Sequence, residues 1–245
     1  MGTQSPHRII QVVLKEIFLT GGSGILGTEL IRISQNHGIK FTAPTSKQCD
    51  ITDNNSVYSY LSQFEGKTVV HAAAATNVTE IETNPIQAMR VNVEGTINLI
   101  DACYKFNKKM IYISTDYVFD GEKGNYSIKD LVNPISKYAK TKTAAEFLVR
   151  TIEEFLIIRT SFFGYEFPYD QAADDQWSTK DYIDVIAPLV IEQITTDKTG
   201  IVHIGTHKTS TYEKAVRRKP DVRKVYLKDI EFKIPPDISL ILGEK

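Results

Sequence analysis

A doubly wound, parallel α/β sheet is the fold this sequence predicts, and three observations predict it. Short apolar runs that stop at glycine or polar residues alternate with stretches of helical spacing over about 150 residues. The first of these runs ends in a cluster of glycines that opens a helix-like stretch. A chain of 245 residues that is 42% hydrophobic and 24% charged suits one full α/β domain with a modest appendage.

Glu16 to Thr20 (EIFLT) reads as a buried parallel strand, followed by GGSGILG and a helix through His37, with Gly38 as its terminator. Lys40 to Ala43 is the expected second strand, Asn54 to Phe64 a helix, and Thr68 to His71 (TVVH) the third strand. Pro85 to Asn107 carries Ile86, Met89, Val93, Ile97, Ile100 and Tyr104 at helical spacing. Met110 to Ser114, a helix over Tyr138 to Arg150, and the strand Phe155 to Arg159 (FLIIR) complete the series. The expected division is an N-terminal extension over 1–14, a dinucleotide-binding domain over 15–164, and a small, shortened C-terminal substrate-binding part over 165–245.

Several function classes find no support. A net charge of −1 gives no general electrostatic reason to bind nucleic acid or an anionic membrane, and no apolar run approaches the length that spans a bilayer. Met1 to Gln11 lacks the apolar stretch of a signal peptide. Cys49 and Cys103 have no metal-ligand spacing, and the five histidines are scattered, so no metal is expected. Reduced, structural thiols point to the cytoplasm.

A strand that ends in glycines opening a helix is what a dinucleotide pyrophosphate needs, since small residues admit the phosphates and the helix N-terminus offers free N–H groups. Gly21, Gly24 and Gly27, with Ile25 and Leu26 between them, form this turn. At the end of the second strand, NAD sites usually place an acid for the ribose hydroxyls. Here Thr42 to Lys47 (TAPTSK) contains none before Asp50; Ser46 and Lys47 could hold a 2′-phosphate instead. NADP(H) is therefore favoured, with NAD(H) as the alternative.

The G-x-x-G-x-x-G spacing resembles the extended short-chain dehydrogenases/reductases, a Rossmann-type family. Asp50-Ile51-Thr52-Asp53 and His71-Ala72-Ala73-Ala74-Ala75-Thr76 also look like this superfamily. The resemblance implies that Asp50 and Ile51 meet the adenine, and that Ala72, Ala73 and Ala74 line the cofactor cleft. Ser114 to Gly121 (STDYVFDG) resembles the active-site strand end of dTDP-4-dehydrorhamnose reductases. Sugar-nucleotide 4,6-dehydratases have an acid where this chain has Tyr117, which argues against dehydration.

Tyr138 and Lys142 lie i,i+4 on one helix face. A charge about 5 Å from the phenol, at an effective dielectric of about 20, is worth roughly 3 kcal/mol, or about two pKa units. Tyr-x-x-x-Lys alone is a weak signal, and Tyr104/Lys108 is a second instance. That pair falls at the helix end away from the crevice, where a structural role is expected. The resemblance implies that Tyr138 protonates the substrate carbonyl oxygen, that Lys142 lowers its pKa and holds the nicotinamide ribose, and that Thr115 hydrogen-bonds the same oxygen. It also implies substrate contacts from Thr76, Tyr117, Phe162 and Trp177. For Phe162 and Trp177, a core position is the alternative.

The chain departs from the family beyond Gly164. A helix is missing, leaving Tyr165 to Ala173, and the loop Asp174 to Ser178 is followed by Thr179 and Lys180 where the family has glycine and proline. Asp181 to Ile194 reads as an amphipathic helix. Arg217-Arg218-Lys219 and Arg223-Lys224 would suit a diphosphate, or form a solvated basic face. The expected activity is NADPH-dependent reduction of the keto group of a nucleotide-linked deoxysugar. The alternatives are a sugar-nucleotide epimerase or epimerase-reductase, or a non-catalytic NADP-binding regulatory subunit like the β subunit of methionine adenosyltransferase. A homodimer through the helices over 85–107 and 138–150 is the family-based expectation.

Overall fold

In the computed structural model, which describes residues 14–231 and 234–244, six parallel strands form the central sheet. In chain order these are β1 (Lys15–Thr20), β2 (Ile39–Thr42), β3 (Thr68–His71), β4 (Lys109–Ser114) and β5 (Phe155–Arg159), with the sixth strand, Gly200–His203, much later. The inner strands β1, β3, β4 and β5 are largely apolar because both faces of a parallel sheet are covered, whereas the edge strand β2 exposes Lys40. Helix α1 (Ile25–Ile33) joins β1 to β2, and α2 (Asn54–Gln63) joins β2 to β3. The β3–β4 crossover contains α3 (Val78–Thr83), α4 (Pro85–Met89), a π-helical turn at Arg90–Glu94, and α5 (Gly95–Lys105). Helix α6 (Lys137–Val149) precedes β5. The expected N-terminal extension falls mostly on residues 1–13, outside the described residues.

Beyond β5 come four very short strands: β6 (Phe162–Phe163), β7 (Gln171–Ala173), β8 (Trp177–Ser178) and β9 (Asp181–Tyr182). Helix α7 (Ile183–Ile194) leads to β10 (Gly200–His203), followed by β11 (Thr209–Ser210), α8 (Thr211–Val216) and β12 (Arg223–Val225). The sheet order is β2-β1-β3-β4-β5-β10. The division expected at residue 164 therefore needs correction. Residues 183–203 return to the main sheet, because the apolar face of α7 packs with α1 and buries Ile183, Ile186, Val190 and Ile194 against Ile111, Leu156 and Ile158. The small part is built from the pairs β6–β9, β7–β12 and β8–β11, around a core of Phe163, Phe167, Ala172, Tyr182, Ala215 and Val222.

The apolar stripe over 85–107 faces outward. Ile86, Met89, Ile97 and Tyr104 are exposed, while Asn92, Gly95, Thr96, Leu99, Ala102 and Cys103 form the buried face. Small residues there let the helix pack closely: a Cβ on Gly95 would come within 2.8 Å of Ile51, in the loop between β2 and α2.

Candidate functional site

The strand order reverses between β1 and β3, which both leave the sheet at carboxyl ends facing one crevice. Gly21 takes φ +77°, and a Cβ there would lie 2.5 Å from the Ala73 amide nitrogen and 2.7 Å from the Ala72 carbonyl carbon. A Cβ on Gly27 would lie 2.7 Å from the Gly22 Cα, so it is the glycine that lets α1 sit on the turn. Gly24 caps α1 with no side-chain acceptor, and the first turn holds no carboxylate. The N–H groups around Ile25 and Leu26 are left for an anionic ligand. This cradle fits a dinucleotide.

The rest of the crevice wall is fixed by a hydrogen-bond chain that sequence reasoning missed. His71 Nδ1 meets Thr20 Oγ1 at 2.8 Å, and its Nε2 meets Thr96 Oγ1 at 3.0 Å. Thr96 gives its own proton to the Asn92 carbonyl at 2.7 Å, so it accepts from His71 Nε2–H, and Nδ1 accepts from Thr20. Burial, with the Lys142 charge beside it, pushes His71 down to about 3, so it stays neutral and rivets β1, β3 and α5 together. Asn92, in the π turn, accepts from the Ala75 N–H at 2.8 Å and donates to the Ala75 carbonyl at 3.1 Å and to Thr141 Oγ1 at 2.9 Å. Thr141 in turn donates to the Tyr138 carbonyl at 2.8 Å. Asn92 thus ties the Ala72–Ala75 wall to the helix that carries Tyr138. Its one sequence signal was an amide in the middle of a helical pattern, and the π turn that aims it leaves no periodicity to read.

At the second-strand end, Ser46 and Lys47 are exposed and make no side-chain hydrogen bond among the described residues. Asp50 Oδ1 accepts from the Thr52 N–H at 2.9 Å and hydroxyl at 2.8 Å, which folds the loop over buried Ile51.

Thr115, just beyond β4, is 4% exposed; its Oγ1 accepts from the Tyr117 N–H at 3.2 Å and lies 3.1 Å from Ser161 Oγ. Ser161 also donates to Asp116 Oδ1. Burial raises the Asp116 carboxyl, against the pull of Ser161, Lys180, Thr115 and Lys214. Tyr138 and Tyr117 are half-buried, and burial together with the Asp116 charge pushes both phenols up.

Lys142 is 3% exposed; its Nζ donates to the Ile113 carbonyl at 2.8 Å and sits 4.1 Å above the Tyr112 ring. Burial pushes it down to about 7, with Glu146 opposing. The expected lowering of the phenol by an adjacent ammonium is not seen in the free protein: burial and the Asp116 charge raise the phenol, and the Lys142 Nζ is turned to the Ile113 carbonyl and the Tyr112 ring. One turn further on, Glu146 accepts from Arg159 through Nη2 at 2.8 Å and Nε at 3.1 Å, with both side chains almost fully buried. In the second Tyr/Lys pair Tyr104 is exposed, and Lys108 Nζ donates to the Phe64 and Gly66 carbonyls at 2.6 and 2.8 Å.

Of the substrate candidates, Thr76 is exposed at the rim and Tyr117 faces the Thr115–Tyr138 cluster. Phe162 packs against the main core, and Trp177 is 37% exposed, outside the core of the small part. The cations of the basic tail are paired with acids and an amide, several of them at the surface. Arg217 pairs with Asp181 at 2.9 Å, Arg218 with Asp184 at 2.8 Å, Lys219 with Asp170 at 2.6 Å and Lys224 with Asp174 at 2.8 Å. Arg223 donates to Gln171 at 2.6 Å. Among the described residues no group of three His, Cys, Asp or Glu side chains could hold a metal, and no helix is long and apolar enough to cross a membrane.

A family model described as the RmlD substrate binding domain matches residues 15–168. The chain belongs to this family. Among RmlD-type relatives, a dTDP-4-dehydrorhamnose reductase of Aggregatibacter actinomycetemcomitans is 34% identical over 152 residues, 61% of this chain and 52% of that protein. Methionine adenosyltransferase 2 subunit beta of Bos taurus is 31% identical over 144 residues, 56% of this chain and 43% of that protein. The chain spans about half the length of the curated relatives it matches. A dTDP-4-dehydrorhamnose reductase of Clostridium acetobutylicum superposes with a TM-score of 0.84 at 26% identity, covering 92% of this chain and 90% of that one. That of Bacillus anthracis, solved in complex with NADP, gives 0.85 at 24% identity, covering 94% and 91%.

Proposed function

We propose that the protein is an NADPH-dependent reductase of the keto group of a nucleotide-linked deoxysugar. The observation that carries this is the placing of Thr115, Tyr138 and Lys142 around the carboxyl end of β4, beside the glycine cradle at the β1–β3 switch point. The resemblance to dTDP-4-dehydrorhamnose reductases supports the same reading. In it, the turn at Gly21, Gly24 and Gly27 and the N–H groups of Ile25 and Leu26 hold the pyrophosphate. Asp50, Ile51, Ala72, Ala73 and Ala74 line the adenosine side, and Lys142 with Tyr138 holds the nicotinamide ribose. When bound, the nicotinamide supplies the hydride. Tyr138 gives its phenolic proton to the carbonyl oxygen as it becomes an alkoxide, a stronger base than the phenolate left behind. Thr115, whose hydroxyl is directed at Asp116 Oδ1 in the free protein, turns its proton to the same carbonyl oxygen. Thr76, Tyr117, Phe162 and Trp177 frame the sugar nucleotide.

Absorbance at 340 nm tests this reading. Purified protein with dTDP-4-keto-6-deoxyglucose is expected to consume NADPH stoichiometrically. NADPH binding without turnover would favour the regulatory-subunit reading, which the 31% identity to a methionine adenosyltransferase β subunit supports. Turnover without net cofactor oxidation would favour an epimerase.

NADP is preferred over NAD on the strength of Ser46 and Lys47, both free to meet a 2′-phosphate. Lys47→Ala is expected to weaken NADPH binding about tenfold and leave NADH unchanged, as read by fluorescence titration. Equal effects on both would remove Lys47 from the site. A homodimer through α4, α5 and α6 is supported by the exposed side chains of Ile86, Met89, Ile97, Tyr104 and Phe147. Sedimentation should give twice the chain mass, and Ile97→Glu should give the monomer; a monomeric wild type would sink the idea. The cytoplasm, a reducing compartment, suits the two buried free thiols.

A further inference from the structure

Lys142 and Glu146 lie four residues apart on α6, and both are almost fully buried. Helix residues at that spacing stand about 5–6 Å apart at Cβ, and a lysine and a glutamate so placed attract each other, the more strongly away from water. Here they form no ion pair. Glu146 is held instead by Arg159, at the carboxyl end of β5. Arg159 Nη2 donates to Oε2 at 2.8 Å, and Nε lies 3.1 Å from Oε1 and 3.3 Å from Oε2. Both carboxylate oxygens are thereby engaged. The guanidinium is fixed in turn: its central carbon is 5.1 Å from the Phe119 ring, and its Nη1 is 3.5 Å from His203 Nε2. Lys142 Nζ is left with one acceptor, the Ile113 carbonyl at 2.8 Å, and the face of Tyr112. An ammonium has three N–H donors, so two remain. Two apolar side chains of the same size would join α6 to β5 about as well, so stability alone does not account for the Glu146–Arg159 pair.

We propose that Arg159 is a positioning residue: by occupying both oxygens of Glu146 it keeps Lys142 from being captured within its own helix, and so leaves the ammonium free to turn to the ribose hydroxyls of the cofactor. The inference rests on the reading that Lys142 holds the nicotinamide ribose. Tyr112 faces Lys142 from β4, His71 from β3, and His203 faces Arg159 from β10. Burial keeps both histidines and the Tyr112 phenol uncharged at neutral pH, so none of them can stand in as the counter-ion. Glu146 is the carboxylate that acts on Lys142. A plain staple between α6 and β5 would behave differently when both its halves are replaced. Removing Arg159 alone would expose Lys142 to an unpaired carboxylate, whereas removing Glu146 as well would set the lysine free again.

The test is a mutant cycle read by NADPH fluorescence titration, with turnover of dTDP-4-keto-6-deoxyglucose followed in parallel and folding checked by circular dichroism. Arg159→Met should bind NADPH about 30-fold more weakly than the wild type, the loss of hydrogen bonds from a charged donor. The double variant, Arg159→Met with Glu146→Met, should recover to within about threefold of the wild type. The pH profile gives a second reading. In the wild type the ammonium is lost as pH rises through about 7. In Arg159→Met the freed carboxylate favours the charged amine, so the fall of kcat/KM should move at least about one pH unit higher. Should Arg159→Met not fold, Arg159→Lys takes its place: one ammonium leaves a Glu146 oxygen open, and a loss of about fivefold is expected, again reversed by Glu146→Met. Wild-type affinity in the single variant, or a double variant as weak as the single, overturns the proposal and leaves the reductase reading standing. The expected affinities with no turnover of the sugar by any of the proteins uphold Arg159 as the guard and overturn the reductase reading. No NADPH binding by the wild type overturns both.

Discussion

The Tyr138→Phe protein is expected to lose turnover by about 100- to 10,000-fold while it binds NADPH nearly as tightly as the wild type. The substitution removes one oxygen from a half-buried ring whose backbone is already fixed, because Thr141 ties the Tyr138 carbonyl to Asn92 and Ser136 caps the helix through the Ala139 N–H at 3.1 Å. The fold should therefore persist, and the loss should report the proton alone. Lys142 adds a pH signature. In the free protein it titrates at about 7, so its ammonium is present below that pH and lost above it. kcat/KM, which reports the free enzyme, should fall as pH rises through about 7. Full activity in Tyr138→Phe, or a profile flat to pH 9, would remove these residues from the chemistry.

Gly21→Ala should be the most damaging single change outside the catalytic trio. Two effects add. At φ +77° any Cβ is strained, and this one would be driven into the Ala72–Ala73 backbone, which cannot rotate away as a side chain can. Each effect is worth about 1–3 kcal/mol. If the turn yields instead of the wall, the N–H groups at the start of α1 no longer converge, and NADPH binding falls more than about 100-fold for a loss of roughly 3 kcal/mol. Thermal unfolding and fluorescence titration would separate lost stability from lost affinity. A Gly21→Ala protein that binds NADPH like the wild type would show that the turn is not the cradle.

The parts of the site that were legible in the sequence were those held by local rules. Gly21, Gly24 and Gly27 could be read because a strand-to-helix turn over phosphates admits only small residues, and Tyr138 and Lys142 because i,i+4 is a fixed geometry. What stayed hidden depends on partners distant in the chain. Asn92 acquires its role by contacts 17 and 49 residues away, through a π turn that no simple period reveals. Ser161 meets Thr115 across 46 residues. The tail cations looked available because their carboxylate partners lie some 34 to 50 residues upstream. The outward stripe of α4 and α5 obeyed the helical period but not the assumption that an apolar stripe faces its own core. The phenol's environment was misjudged for a related reason: spacing brings an ammonium near a phenol, but only the fold decides how much water remains between them.

The late arrival of α7 and β10 has a consequence for how the chain is made. On a ribosome, five of the six strands emerge well before Ile183–Ile194, the helix that completes the cover over Ile111, Leu156 and Ile158. A nascent chain paused near residue 164 would carry a nearly complete sheet with part of one oily face bare, the kind of surface that recruits chaperones or aggregates. The small part is translated on both sides of this closing segment, so it finishes forming only after the sheet beneath it is sealed. Fragments ending at residue 164 should inherit that bare face permanently, however much of the glycine turn they retain.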